Sequence, residues 1–102
     1  MSEYVIAYFG GTVSQTPEEQ AKHMEEYKAW ITGLGDAVVN PGTPLSASKT
    51  LSSDGKVGES GPNRLIGFSI LKAENMQAAL EMTKTCPFLD IGTIEVGEVA
   101  KM

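Results

Sequence analysis

The chain has one cysteine, Cys86, among 102 residues, so no intrachain disulfide can form. The cross-linked scaffold of a small secreted domain is thereby excluded. It has one histidine, and no cluster of Cys, His or acidic residues at metal-ligand spacing. No apolar run approaches the ~20 residues that span a bilayer. The opening Met1-Ser2-Glu3-Tyr4 lacks the cationic and apolar regions of a signal peptide. Basic residues are few: eight Lys and Arg against thirteen Asp and Glu, a net charge of −5. That balance disfavours nucleic acid and anionic membrane surfaces, both of which require a cationic face. Gly10-Gly11 lacks the spacing of a phosphate loop, and no serine sits in a nucleophile elbow. A cytoplasmic protein with no cofactor is expected.

What is present reads as one domain, residues 1–102. Hydrophobic residues make up 41% and charged residues 21%, a globular composition. Residues 4–9, Tyr-Val-Ile-Ala-Tyr-Phe, form a strand too apolar to have a solvated face. Thr16-Pro17-Glu18-Glu19 opens a helix: a capping threonine, a proline at the first helical position and a glutamate for a capping box. The helix is predicted to reach Leu34, with Met24, Tyr27, Ile31 and Leu34 as its apolar stripe. Ala37 to Val39 is a second short strand. Asn40-Pro41-Gly42-Thr43-Pro44 is expected to bend away, because proline cannot donate to a ladder. Lys49–Ser52 and Lys56–Glu59 flank Ser53-Asp54-Gly55 as a polar hairpin. Arg64 to Leu71 is a strand with Ile66, Phe68 and Ile70 on one side and Leu65, Gly67, Ser69 and Leu71 on the other. Asn75 caps a second helix, closed by Pro87, and Thr93 to Val99 is the last strand.

Without the hairpin the order is βαββαβ, the ferredoxin-like arrangement of an α+β domain. Two helices cover one face of a four-stranded sheet. The other face, expected to carry Leu65, Leu71 and one side of the first strand, needs a second layer. A second copy of the chain supplies it, and the two sheets then form a dimeric α+β barrel with a cleft between sheet and helices.

Several segments resemble the YCII-related domain proteins, in the branch named for a DGPF motif. They are Tyr4-Val5-Ile6-Ala7-Tyr8; the helix entered at Thr16-Pro17-Glu18-Glu19 and bearing His23, Tyr27 and Trp30; and Gly35-Asp36-Ala37-Val38-Val39 with Pro44-Leu45. They continue with Gly67-Phe68-Ser69-Ile70-Leu71, with Asn75 and Ala78-Ala79-Leu80-Glu81, and with Cys86-Pro87-Phe88-Leu89 before Gly92-Thr93-Ile94-Glu95-Val96. Where the DGPF motif would stand, this chain has Ser60-Gly61-Pro62-Asn63. The resemblance implies a ferredoxin-like fold, a homodimer, and a cleft in which some members pair a histidine with an aspartate and are proposed to be enzymes.

His23, the single histidine, is the first candidate for acid–base work near neutral pH. Its spacing to Tyr27, Trp30 and Leu34 places it beside the aromatic edge of the stripe; the competing reading is a half-exposed histidine with no task. Asp36 is the candidate to orient it. Thirteen residues separate the two, ~20 Å of helix. The pair therefore needs a bend or two subunits, or it does not form. Tyr8, Tyr27 and Trp30, with Tyr4, either line an apolar pocket or pack the core. Arg64 either holds a ligand carboxylate by its fork or is a solvated strand-end cation. Ser69 is also a candidate to bind the substrate; it, Thr93 and Glu95 are read toward the dimer face, Cys86 as a core residue, and Met24, Met76 and Met82 as packing. Two functions compete: a cofactor-free enzyme using His23 for proton transfer on a small metabolite, and a non-catalytic dimer that binds a small molecule or another protein.

Overall fold

A computed structural model of the chain describes residues 1–10, 16–59 and 64–100. Gly11 and the loop Ser60-Gly61-Pro62-Asn63 lie outside the described residues. The elements are β1 (Ser2–Gly10), α1 (Pro17–Leu34), β2 (Val38–Pro44), β3 (Lys49–Leu51), β4 (Val57–Glu59), β5 (Leu65–Ala73), α2 (Met76–Thr83) and β6 (Gly92–Glu98). Short 3₁₀ turns, Gly35–Ala37 and Pro87–Asp90, follow the two helices. The main sheet runs β2-β5-β1-β6, with each neighbouring pair antiparallel. This is the ferredoxin-like α+β fold expected from the element order, with β3 and β4 as a separate hairpin inserted between two strands of the sheet.

The helices start where their side chains can satisfy free backbone N–H groups. Thr16 Oγ1 accepts from the Glu19 amide at 3.1 Å and donates to Glu19 Oε1, and Pro17 occupies the first turn. Asn75 Oδ1 accepts from the Ala78 amide at 2.8 Å. Strand β2 departs from the expected bend. Its ladder with β5 continues to Pro44, with register shifts between Val38 and Asn40 and between Asn40 and Thr43. An edge strand tolerates proline because one side of its backbone has no ladder to complete, and the irregularities absorb the missing donors.

Tyr4, Ile6 and Tyr8 of β1, Leu71 and Ala73 of β5, Trp30 of α1, Ala79 of α2, and Cys86 form the buried core between sheet and helices. Leu71 corrects the expectation that it lies on the far face: its register partner is Tyr4 and it is 0% exposed. Alternation along β5 is as the sequence indicates, but both of its faces are apolar, so composition alone does not set the phase. The phase is fixed by Ser69 and Gly67, which sit under α1 and the β2 edge, leaving Phe68 and Ile70 to the far side. One step of the alternation also breaks. A bulge pairs Tyr8 with Gly67 but Phe9 with Leu65, and the extra residue, Ile66, packs against the helix-side core. Truncating Leu71 to alanine is expected to cost about 2–5 kcal/mol of stability. Urea unfolding at fixed protein concentration checks this through a lower midpoint with an unchanged slope.

The molecule is only 18 Å thick, one sheet and one helix layer. On the far face the cross-strand pairs Val5–Ile70, Ala7–Phe68 and Phe9–Leu65 make an apolar strip two strands wide. It is framed by the Glu3–Lys72 pair at one end and by Thr93 and Glu95 of β6 at its side. Thr93 and Glu95 therefore lie on the face where the sequence reading put them; Ser69 does not.

Candidate functional site

Between α1, the Pro41–Pro44 stretch of β2 and the bulged end of β5 is a cavity of about 670 Å³. That is within the size range of small-molecule sites. One stripe of α1 supplies a wall: Gln20, His23, Met24, Tyr27, Lys28 and Ile31. These recur every three or four residues, so the helix pitch alone brings them to one side. Tyr8 comes from the sheet, and Phe88 and Ile91 from the segment after α2. The tyrosines are held by ring contacts: Tyr8 to Phe88 with centroids 5.1 Å apart, Tyr8 edge-on to Tyr27 at 6.0 Å, and Tyr27 to Trp30 at 5.6 Å.

Their hydroxyl ends converge on Ser69. Tyr8 Oη and Tyr27 Oη each lie 2.7 Å from Ser69 Oγ and 3.0 Å from one another, and Tyr27 donates to the Pro41 carbonyl at 2.7 Å. Ser69 is fully buried on the helix side, not on the dimer face where the sequence reading put it. A hydroxyl there needs partners, and the two tyrosines provide them. Gly42 makes the packing possible. Its φ is +152°, and a Cβ there would stand 3.1 Å from Tyr27 Oη.

Other candidates fall elsewhere. Trp30 belongs to the core, its indole N–H donating to the Met82 carbonyl at 3.0 Å. Arg64 precedes β5 and is half-buried; its carbonyl accepts from the Gly10 amide, and it is not part of the cavity wall. Asp36 is exposed, in the turn beyond the far end of α1. No hydrogen bond joins it to His23 within the chain, because α1 is a continuous helix and holds them ~20 Å apart. The sequence reading missed Gln20, Lys28, Pro41, Gly42 and Ile91. Gln20 was accessible one turn before His23, and Lys28 one turn beyond Met24. Pro41 and Gly42 were hidden by reading that segment as a bend. Among the described residues, no three His, Cys, Asp or Glu side chains group as a metal site.

Burial sets the ionisation of two groups. It raises the Tyr8 phenol well above its ordinary value, the Ser69 hydrogen bond opposing and Tyr27 adding to the rise. It also pushes the Cys86 thiol up to about 11, against a lowering by the Phe88 backbone. Both groups are held neutral in the fold, so the stability they contribute is intact below their ordinary values and is lost as pH rises through them. The thermal midpoint is expected to fall from about pH 9 upward. At pH 8 a thiol reagent should label Cys86 far more slowly in native than in urea-unfolded protein. Circular dichroism melts and a colorimetric thiol assay check the two halves.

No protein-family model matches the chain, and no curated protein matches its sequence. The fold is similar to that of a solved 5-chloro-2-hydroxyhydroquinone dehydrochlorinase from Burkholderia phenoliruptrix AC1100 in complex with 2,5-dihydroxybenzoquinone. The TM-score is 0.62 and the identity 14%, over 98% of this chain and 95% of the other.

Proposed function

We propose that the cavity beside α1 is the active site of a cofactor-free enzyme acting on a small ring-bearing metabolite, with His23 moving the proton. One observation carries this reading. The only histidine of the chain lines an apolar cavity, four residues from a tyrosine whose hydroxyl is tied into a buried cluster. Aromatic and aliphatic walls suit a planar ring, the tyrosine oxygens suit its substituents, and Lys28 on the same wall suits a carboxylate. The solved dehydrochlorinase of the same fold was captured with a quinone, which is consistent with a ring-sized ligand here.

The working unit in this proposal is a homodimer, because the apolar strip on the far sheet face has a polar frame and, among the described residues, stays partly exposed with no second layer over it. A YCII-related origin belongs to the same proposal and rests on the quoted segments together with the fold. So does a cytoplasmic setting, which the lone buried Cys86 suits.

A second reading has its own support. Among the described residues no side chain hydrogen-bonds His23, whereas catalytic histidines are commonly oriented by a partner. In that reading the cavity binds a small molecule without turning it over. A turnover screen of small aromatic and carboxylated metabolites, run with wild type and His23→Ala in parallel, separates the two. Turnover lost in the variant supports catalysis. Ligand-induced stabilisation equal in both proteins, without turnover, supports binding alone.

A further inference from the structure

We infer that the cavity recognises its ligand through a hydroxyl proton that the ligand donates, with the phenolic oxygen of Tyr8 as acceptor. This rests on the reading of the cavity as a small-molecule site and adds the chemical class of the ligand: a phenol or comparable alcohol in preference to its ether or to a bare carbonyl.

Each hydroxyl of the cluster has one proton to give. Tyr27 spends its proton on the Pro41 carbonyl. The 2.7 Å contact between Ser69 and Tyr27 must then be made by the serine proton. The 2.7 Å contact between Tyr8 and Ser69 is left to the Tyr8 proton, since the serine has no second one. The longer approach of Ser69 Oγ to the same carbonyl, 3.3 Å, shares a proton already committed, as does the 3.0 Å contact between the two tyrosines. The result is a one-way chain, Tyr8 to Ser69 to Tyr27 to the Pro41 carbonyl. All three protons are used inside it, so the cluster has none for a ligand acceptor. Unused lone pairs stand on the oxygens, foremost on Tyr8, which heads the chain and accepts from nothing in it. Tyr8 lines the cavity. A ligand O–H placed there extends the chain by one link, and aligned hydrogen bonds in a chain reinforce one another. An ether or ketone oxygen in the same place meets only lone pairs.

The test uses three probes of one ring size: p-cresol as donor, 4-methylanisole as ether and 4-methylacetophenone as acceptor. Each is titrated into the intact protein by calorimetry. The wild type is expected to bind p-cresol about fivefold more tightly than either of the others, the effect of one net hydrogen bond. Tyr8→Phe keeps the ring and removes the acceptor. It is expected to lose the p-cresol preference while binding 4-methylanisole no more weakly than wild type does, which also reports that the cavity is still formed. Equal binding of the probes to wild type, or a p-cresol preference that survives in Tyr8→Phe, overturns the inference while leaving the cavity as a binding site. Binding of none of the three overturns the cavity reading along with it.

Discussion

His23→Ala is expected to fold with a near wild-type thermal midpoint and to lose roughly 10²–10⁴-fold in kcat/KM on whatever substrate a screen identifies. The two halves follow from the same geometry. His23 is half-buried, on a helix face that lines the cavity, and among the described residues its side chain holds no hydrogen bond. Removing the ring therefore empties part of a cavity wall without exposing the core or stranding a polar partner. Surface changes of that kind usually stay within ~0.5 kcal/mol. The chemical loss is larger because Tyr8 cannot replace the imidazole. Burial raises the Tyr8 phenol, so it stays protonated and cannot act as a base near neutral pH. Initial-rate kinetics and a melting curve on the same preparation check both halves. Full activity in a folded variant would remove His23 from the chemistry.

Ile70→Asp is expected to convert the proposed dimer to a folded monomer. Ile70 lies on the apolar strip, paired across strands with Val5, and does not belong to the core packed by the helices. A carboxylate there meets water in the monomer at little cost. In the dimer it must be desolvated against a second apolar sheet. Two-fold symmetry repeats the substitution, so a penalty of ~2 kcal/mol per site becomes ~4 kcal/mol per dimer, roughly 10³-fold in the dissociation constant. Light scattering on a gel-filtration column checks the mass, and circular dichroism checks that the monomer is folded. A variant that stays dimeric would place the interface elsewhere.

Much of the fold is legible in the chain because local chemistry and global order agree. Thr16-Pro17 and Asn75 start their helices where expected, Gly55 sits in the hairpin turn at φ +85°, and the βαββαβ order yields the observed strand arrangement. Failures occur where one pattern permits two outcomes. In β5, apolar residues stand on both sides, so Leu71 and Phe68 exchange faces without offending any local rule. In β2, two prolines forbid a regular central strand but not an irregular edge strand. At the site, helix pitch puts His23 and Tyr27 on one wall, and that spacing is visible from the residues. The meeting of Tyr8, Tyr27 and Ser69 is not, because residues 19, 42 and 61 positions apart are joined only by the sheet register and the approach of Gly42.

Equilibrium sedimentation of the unmodified chain at micromolar concentration tests the account at its base. The strip of Val5, Phe9, Phe68 and Ile70 is argued to be covered by its own copy, so the predicted mass is twice that of the chain, independent of speed and loading. A folded species at the single-chain mass would contradict the account, because that strip would then be stable in water and the case for the paired molecule would be gone.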